Sequence, residues 1–328
     1  MNTKIRWGIL GTGNIAEQFA QSLTVLGDAE LLAVGSRAEK TAKKFAKKFK
    51  IPRAYPSYEQ LVNDKDIDVI YISTPHTLHM ENTMLALNAG RAVLCEKPFA
   101  INTDQAMKMV DLAREKKLFL MEAMWTRFLP VITKVRQLLD EGIIGQPEYV
   151  QADFGYSCKR NPEHRILNPE LGGGALLDVG VYCISFASMI FKSEPTSIKS
   201  TAHIGKTGVD EQSSMTLSYN DGQIAELECA INKDTPWQAL IRGTKGEIKI
   251  HRPFWKATAA NISIDGKEPQ VLEIPLEGNG YNYQAADVMD CLRAGKTESD
   301  IMPLDETLSI MKTMDKIRAQ WHLKYPCE

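Results

Sequence analysis

Short β-rich runs alternate with helical periods over the first third of the chain, and this alternation constrains the fold more than any other feature. The runs are IRWGIL (5–10), ELLAVGS (30–36), VIYIST (69–74), AVLCE (92–96) and LFLME (118–122). Between them, Ile15, Phe19 and Leu23 share one helical face; Ala42, Phe45, Ala46 and Phe49 share another. Met84, Leu85 and Leu87 mark a third, closed by Gly90, and Thr103-Asp104 is placed as the cap of a fourth helix that continues to about Lys117. Strands that alternate with helices are joined by crossovers, so the sheet is parallel and covered on both faces.

After about residue 125 the pattern changes. A helix is expected over 128–141, with Pro130 in its first turn and Gly142 just beyond its end. Asp221-Gly222 separates SSMTLSY from QIAELECAI as a hairpin turn, and TKGE and DGKE read as two more. Hairpins do not suit an all-parallel sheet. The expected architecture is an α/β domain over 1–123 followed by an α+β domain over 124–328, whose large open sheet is mostly antiparallel. Helices near 281–294 and 305–320 close the chain.

The bulk numbers exclude several classes. The chain has 328 residues, 44% of them hydrophobic and 24% charged, enough to bury a full core. A net charge of −2 gives no field for nucleic acid or an anionic membrane. Apolar stretches read as shorter than the ~20 residues of a membrane helix. The six scattered cysteines lack a CxxC pair, which argues for reduced thiols in a cytoplasmic protein and against a metal site. The N-terminus reads straight into a strand, without a signal peptide.

The strongest local motif is WGILGTGNIA. Gly11, Gly13 and Ala16 fit G-x-G-x-x-G/A between a strand and a helix, so the fingerprint segment Gly11, Thr12, Gly13, Asn14 and Ile15 is read as a Rossmann dinucleotide cradle. The first glycine permits the turn, the second lets a pyrophosphate approach the backbone, and the helix N-terminus points N–H groups at the phosphates. The next strand ends in Ser36 and Arg37, where an NAD site carries an acid for the ribose hydroxyl. A hydroxyl and a guanidinium suit a 2′-phosphate, which favours NADP, with NAD as the alternative. STPHTLH follows the strand over 69–74, placing Ser73, Thr74, Pro75, His76 and His79 at a carboxyl end, where open parallel sheets bind ligands.

AVLCEKP puts Glu96 and Lys97 at another such end. A lysine there can donate to a substrate oxygen and stabilise charge during hydride transfer; the plain alternative is an ion pair capping the strand. Downstream, GGGALLDVGVYCI spaces Asp178 and Tyr182 at i and i+4, on one face of a helix. A tyrosine near an ammonium can act as an acid/base, because the positive charge favours the phenolate. For an isolated D-x-x-x-Y, a core helix is the plain alternative.

With the fingerprint, the TP loop, EKP, EAMWTRFLP and GGGALLDVGVYCI in this order, the chain resembles the glucose-fructose oxidoreductase, inositol dehydrogenase and rhizopine catabolism (Gfo/Idh/MocA) family over nearly its full length. EAMWTRFLP, GGGALLDVGVYCI and DFGYS (153–157) are most similar to the dimeric dihydrodiol dehydrogenase branch. The resemblance implies an active site between the two domains, dimerisation through the second domain's sheet, and no metal. It implies hydride transfer between a nicotinamide and a carbon bearing hydroxyl or carbonyl. The EKP lysine falls on Lys97, and the family's D-x-x-x-H/Y pair falls on Asp178 and Tyr182. Inositol dehydrogenases usually carry His at that second position, so Tyr182 points away from cyclitols.

Trp125, Arg127 and Phe128 match the branch's W-x-R-F and by resemblance line the cofactor and substrate site. Phe154 and Tyr156 share a strand face at i and i+2, and the resemblance, whose branch has an aromatic pocket for apolar diols, makes Phe154 and Trp255 candidate lining residues. The expected substrate is a small diol, hydroxy-carbonyl or dicarbonyl compound, with Lys97 or Tyr182 as the proton carrier. A sugar or anhydro-sugar dehydrogenase/reductase is the alternative enzyme, and a non-catalytic NADP-sensing regulator the alternative of another class.

Overall fold

The computed structural model describes residues 4–158 and 161–328. In chain order it begins β1 (Ile5–Leu10), α1 (Asn14–Leu23), β2 (Ala29–Gly35), α2 (Glu39–Phe49), β3 (Arg53–Tyr55), α3 (Tyr58–Val62), β4 (Val69–Ile72), α4 (His79–Asn88), β5 (Ala92–Glu96), α5 (Thr103–Lys116) and β6 (Leu120–Ala123). It continues α6 (Pro130–Asp140), β7 (Pro147–Gly155), α7 (Val181–Phe191), β8 (Ser197–Ile204), β9 (Asp210–Ser218), β10 (Ile224–Ala230), β11 (Ala239–Gly243), β12 (Gly246–Ile250), β13 (Ala259–Ile264), β14 (Gln270–Glu273), α8 (Asn282–Arg293) and α9 (Leu304–Gln320). The chain divides into two compact units. One holds the chain up to Trp125 together with Glu277–Leu308; the other holds Thr126–Leu276 and Ser309–Glu328.

The first unit is a doubly wound parallel sheet in the order β3-β2-β1-β4-β5-β6. The order reverses between β1 and β4, the switch point outside which such sheets bind ligands. Its core is keyed by three aromatic rings. Phe19 of α1 lies edge-on to Trp7 at 5.2 Å and stacks on Tyr71 at 3.8 Å. All three are fully buried, and burial of each side chain this size stabilises the fold by about 1.5–3 kcal/mol. Asn102, not Thr103-Asp104, caps α5: its Oδ1 accepts from Gln105 N at 2.9 Å, and Thr103 and Asp104 form the first turn.

The return of residues 277–308 to this unit departs from the expected boundary at 124. Helix α8 packs on α1, Arg293 pairs with Asp28 at 2.7 Å, and Asn279 Nδ2 donates to Gln18 O at 2.7 Å. Hydrophobic periodicity shows that α8 buries a face but not which partner it buries it against.

The second unit is an eight-stranded sheet, β14-β13-β12-β11-β7-β10-β9-β8. The three expected hairpins join β9 to β10, β11 to β12 and β13 to β14. The pair β7–β10 is parallel, and the other pairs are antiparallel. Helix α7, VYCISFASMIF, is apolar all round and buried along its whole length, packed against β7 and β10. The stretch Pro169–Phe191 is, by length and composition, long and apolar enough to cross a membrane, which corrects the reading that every apolar stretch is too short. Its apolar window is wholly buried inside the protein, as a core helix is.

Candidate active site

The glycine fingerprint is explained by two different physical needs. Gly11 follows β1 with φ of +109°, and a Cβ there would lie 2.8 Å from Ser73 Oγ and 3.2 Å from Ser73 O. Only glycine fits this turn against the end of β4. Ser73 closes it by donating Oγ–H to Leu10 O at 3.0 Å. Gly13 is different: its φ is −76°, and a Cβ there would meet nothing within 4 Å. It caps α1 without a side chain and leaves open space in front of the helix's unpaired N–H groups. Thr12 and Ile15 are half-buried beside it, Asn14 is exposed, and Ala16 is buried under the helix.

At the end of β2, Ser36 is buried and Arg37 exposed. Arg37 borders a cavity of about 590 Å³ with Ser57, Tyr58, Leu78, Glu81 and Asn82. Burial raises the Tyr58 phenol's pKa, an effect the neighbouring Arg37 guanidinium opposes.

The loop after β4 and the turn after β5 are tied together by one buried histidine. His79 Nε2 lies 2.9 Å from Thr74 O and Nδ1 lies 2.8 Å from Pro98 O. Asn82 Nδ2 donates to Thr74 Oγ1 at 3.1 Å, and His76 packs edge-on to His79. Pro75 is half-buried at this corner. The peptide Lys97–Pro98 is cis. Glu122 Oε1 accepts from Phe99 N at 3.1 Å, so the turn carrying Lys97 is held from both sides. Glu96 is buried and accepts a short hydrogen bond from the Tyr71 hydroxyl, which anchors that carboxylate to the aromatic core. Trp125 stacks on Tyr281 at 4.3 Å.

The second unit brings together five residues singled out in the sequence. Asp178 lies in a π-helical turn, Leu176–Gly180, and Tyr182 in the first turn of α7 directly after it. Such turns are rare and concentrate at functional sites. Asp178 is buried; its Oδ2 accepts from the Tyr156 hydroxyl at 2.8 Å and its Oδ1 from Arg165 Nη1 at 2.9 Å. Burial raises the Tyr156 pKa, and the Asp178 carboxylate raises it further. Tyr156 therefore stays a phenol and a donor. Phe154, near the end of β7 and two residues before Tyr156, packs 5.5 Å from the Tyr182 ring and stacks flat on Trp255. The result is a carboxylate with two fixed donors beside a wall of three aromatic rings.

Arg127, expected to line the cofactor and substrate site, is buried with its guanidinium on Ser185: Nε to Oγ at 2.9 Å and Nη2 to the carbonyl at 2.8 Å. It anchors α7 one turn below Tyr182. Phe128 is buried beside it in sequence. Thr126 Oγ1 holds Trp255 through its carbonyl at 2.9 Å.

Sequence reasoning missed Arg165, Trp237 and Asp153. Trp237 adopts φ of +67°, a genuine outlier for a bulky side chain, and lies edge-on to Trp255 at 5.5 Å. Asp153 locks it: Oδ1 accepts from Trp237 N at 2.6 Å and Oδ2 from Gln238 N at 3.2 Å. The Trp237 indole N–H donates to Gly155 O. The D-T-P-W run was the available signal, since a proline-bearing loop ending in tryptophan marks a turn with a large group to place.

Comparison with known proteins gives the family. Residues 5–124 match the model of the oxidoreductase family with an NAD-binding Rossmann fold, and residues 132–249 match the GFO/IDH/MocA C-terminal domain. A trans-1,2-dihydrobenzene-1,2-diol dehydrogenase of Xenopus tropicalis is 39% identical over 98% of this chain and 99% of its own. The Homo sapiens protein of the same name is 37% identical, covering 98% of both chains. Among solved structures, KijD10, a 3-ketoreductase from Actinomadura kijaniata in complex with NADP and TDP-benzene, superposes with a TM-score of 0.83 at 25% identity, covering 97% of this chain and 98% of that one. An aldose-aldose oxidoreductase from Caulobacter crescentus shares the fold at a TM-score of 0.88 and 23% identity, covering 96% and 97%. The chain belongs to the GFO/IDH/MocA oxidoreductase family, as a dehydrogenase or reductase that uses a nicotinamide cofactor.

Proposed function

We propose that the protein moves a hydride between NADP(H) and a small vicinal diol, hydroxy-carbonyl or dicarbonyl compound. The carrying observation is the buried Asp178, fixed by Tyr156 and Arg165, beside the rings of Tyr182, Phe154 and Trp255. A flat or apolar carbon frame suits those rings, and one adjacent pair of oxygens suits the polar set. A polyhydroxyl sugar fits less well, because three aromatic rings occupy positions where further hydrogen-bonding groups would be needed. Relatives named for a dihydrodiol substrate support the same class.

The first unit fits a dinucleotide, since the open space at Gly13 in front of α1 is a cradle that any side chain would fill. Gly11–Ile15 would hold the pyrophosphate, and Ser36 and Arg37 the ribose end. A 2′-phosphate matches the Arg37 guanidinium and supports NADP over NAD. Thr74, His76, Glu96 and Trp125 are assigned to the nicotinamide end. When bound, the cofactor accepts or supplies the hydride. Tyr182 takes the hydroxyl proton in oxidation and returns it in reduction. Lys97 supports the substrate oxygen as charge develops on it, and Asp178 orients the second oxygen.

We also assign the sheet face opposite α7 to homodimer contact. It carries a shallow concavity of about 530 Å³ lined by polar side chains, including Gln151, Lys199, Thr201, Thr216 and Glu226. The deciding experiment is a panel of diols, dicarbonyls and aldoses assayed with NADP(H) and NAD(H) in parallel. Turnover is expected with vicinal diols or dicarbonyls and NADP(H). Turnover confined to aldoses would overturn the substrate class, and a clear preference for NAD(H) the cofactor assignment.

A further inference from the structure

The helix that presents Asp178 and Tyr182 is reached through three consecutive glycines, and two groups from distant parts of the sequence close on them. Asp210, at the start of β9, is fully buried. Its Oδ2 accepts from Leu176 N at 2.7 Å, at the first residue of the π turn that contains Asp178. Its Oδ1 faces Gly174, where a Cβ would lie only 2.3 Å away, and Gly174 has φ of +116°. On the other side, the Tyr325 hydroxyl donates to Gly173 O at 2.6 Å. Tyr325 is in turn braced by the C-terminal residues. Its N–H donates to Glu328 Oε2 at 2.7 Å, and Glu328 accepts from Arg318 at 2.8 and 2.9 Å. The Arg318 guanidinium lies 5.2 Å from the Tyr325 ring centroid.

We propose that Asp210 and Tyr325 are positioning residues for the reaction: they cap and clamp the Gly173–Leu176 lead-in, and so fix where Asp178 and Tyr182 stand. Three observations converge on this. All of Val181–Phe191 is buried, and the Arg127–Ser185 bonds hold the helix one turn after Tyr182, whereas the Asp210 and Tyr325 bonds hold the lead-in before Asp178. Its N-terminal N–H groups lack a capping side chain from the preceding residue, Ala175, and the carboxylate that fills that role comes from residue 210. The acceptor oxygen of Asp210 also sits at the positive end of the helix dipole. The glycines give the lead-in no stiffness of its own, so its conformation is set by what touches it.

The proposal rests on the roles given above to Asp178 and Tyr182, and the test separates the two. Tyr325→Phe removes one hydroxyl and leaves the packing. Asp210→Ala removes the cap. Leu217→Ala, a buried residue of the same strand with no part in the lead-in, serves as the control for general loss of stability. In the full-length chain, with NADPH and 2,3-butanedione, Tyr325→Phe is expected to lower kcat about tenfold and Asp210→Ala about a hundredfold, the scale of an ångström of misplacement. NADPH affinity should stay within about twofold, since the cradle lies in the other unit. Leu217→Ala, at equal or greater loss of Tm, should keep kcat within about threefold.

Hydrogen exchange supplies a readout independent of turnover. The amides of Leu176–Tyr182 should exchange faster in both positioning variants and not selectively in Leu217→Ala. If wild-type protein turns over no substrate, the catalytic reading fails while the exchange result still decides the positioning claim. Unchanged kcat and exchange in both variants, or losses that track Tm equally in the control, would overturn it.

Discussion

Replacing Asp153 with alanine removes both hydrogen bonds that hold Trp237 in a left-handed backbone conformation. The bonds are 2.6 and 3.2 Å long, and the acceptor is a carboxylate. Hydrogen bonds to charged groups contribute about 1.5–3 kcal/mol each, and the longer of the two belongs at the low end. A left-handed non-glycine residue costs about 1–2 kcal/mol, which those bonds now offset. Without them Trp237 can relax and recover that strain, so the net loss is about 2–3 kcal/mol for the loop. If the loop melts with its unit, this corresponds to a fall in Tm on the order of 10 °C. Asp153→Asn keeps one acceptor oxygen and should lose about half. Trp237 packs on Trp255, which stacks on Phe154, so tryptophan emission should shift to the red and KM should rise. Differential scanning fluorimetry, emission spectra and steady-state kinetics on the two variants measure all three. An Asp153→Ala protein that melts within about 2 °C of wild type, with unchanged emission and KM, would refute the claim that this strained turn supports the aromatic wall.

Two further outcomes follow from charge. Burial pushes the Asp210 carboxyl up to about 7, against the Leu176 N–H, its own N–H, Arg318 and the Ala175 N–H, which hold it down; Cys229 and Tyr325 are the other titratable groups facing it. The unfolded carboxyl titrates near 3.9, so the native state binds the extra proton between about pH 4 and 7. This group's contribution to stability is therefore full below about pH 4 and is lost as pH rises through 7, by at most about 4 kcal/mol. Asp210→Asn should remove that slope in denaturant midpoints measured across this range; an unchanged slope would contradict it. At the cofactor, Arg37→Ala should raise the KM for NADP about tenfold or more and leave that for NAD within about twofold. Equal effects on both would exclude Arg37 as the reader of the 2′-phosphate.

Local chemistry carried much of this structure into the sequence. Gly11 is legible because only glycine takes its φ against Ser73, and Asp221-Gly222 because two-residue turns have few solutions. Phe154 and Tyr156 are legible as a pair because strand geometry alternates faces. Long-range features were not. The strand Arg53–Tyr55 has three half-buried residues and no alternation to reveal it. Helix α8 shows an amphipathic pattern that is silent about its partner. Arg127 reads as a site residue by resemblance, and its bond to Ser185, 58 residues away, is one that no spacing rule reveals. Arg165 and Asp210 bond to groups 13 and 34 residues distant, and no spacing rule connects them. The left-handed Trp237 runs against its residue type and is held there by Asp153, placed 84 residues earlier.

The most direct measurement is a double-mutant cycle on turnover with Lys97→Met, Tyr182→Phe and the pair, each checked for NADPH binding. If ammonium and phenol serve one proton transfer, each single change lowers kcat at least about 100-fold, the double change adds little more, and cofactor affinity survives. Near-normal kcat in either single variant, or losses that multiply in the double, would contradict the shared chemistry assigned to residues 97 and 182.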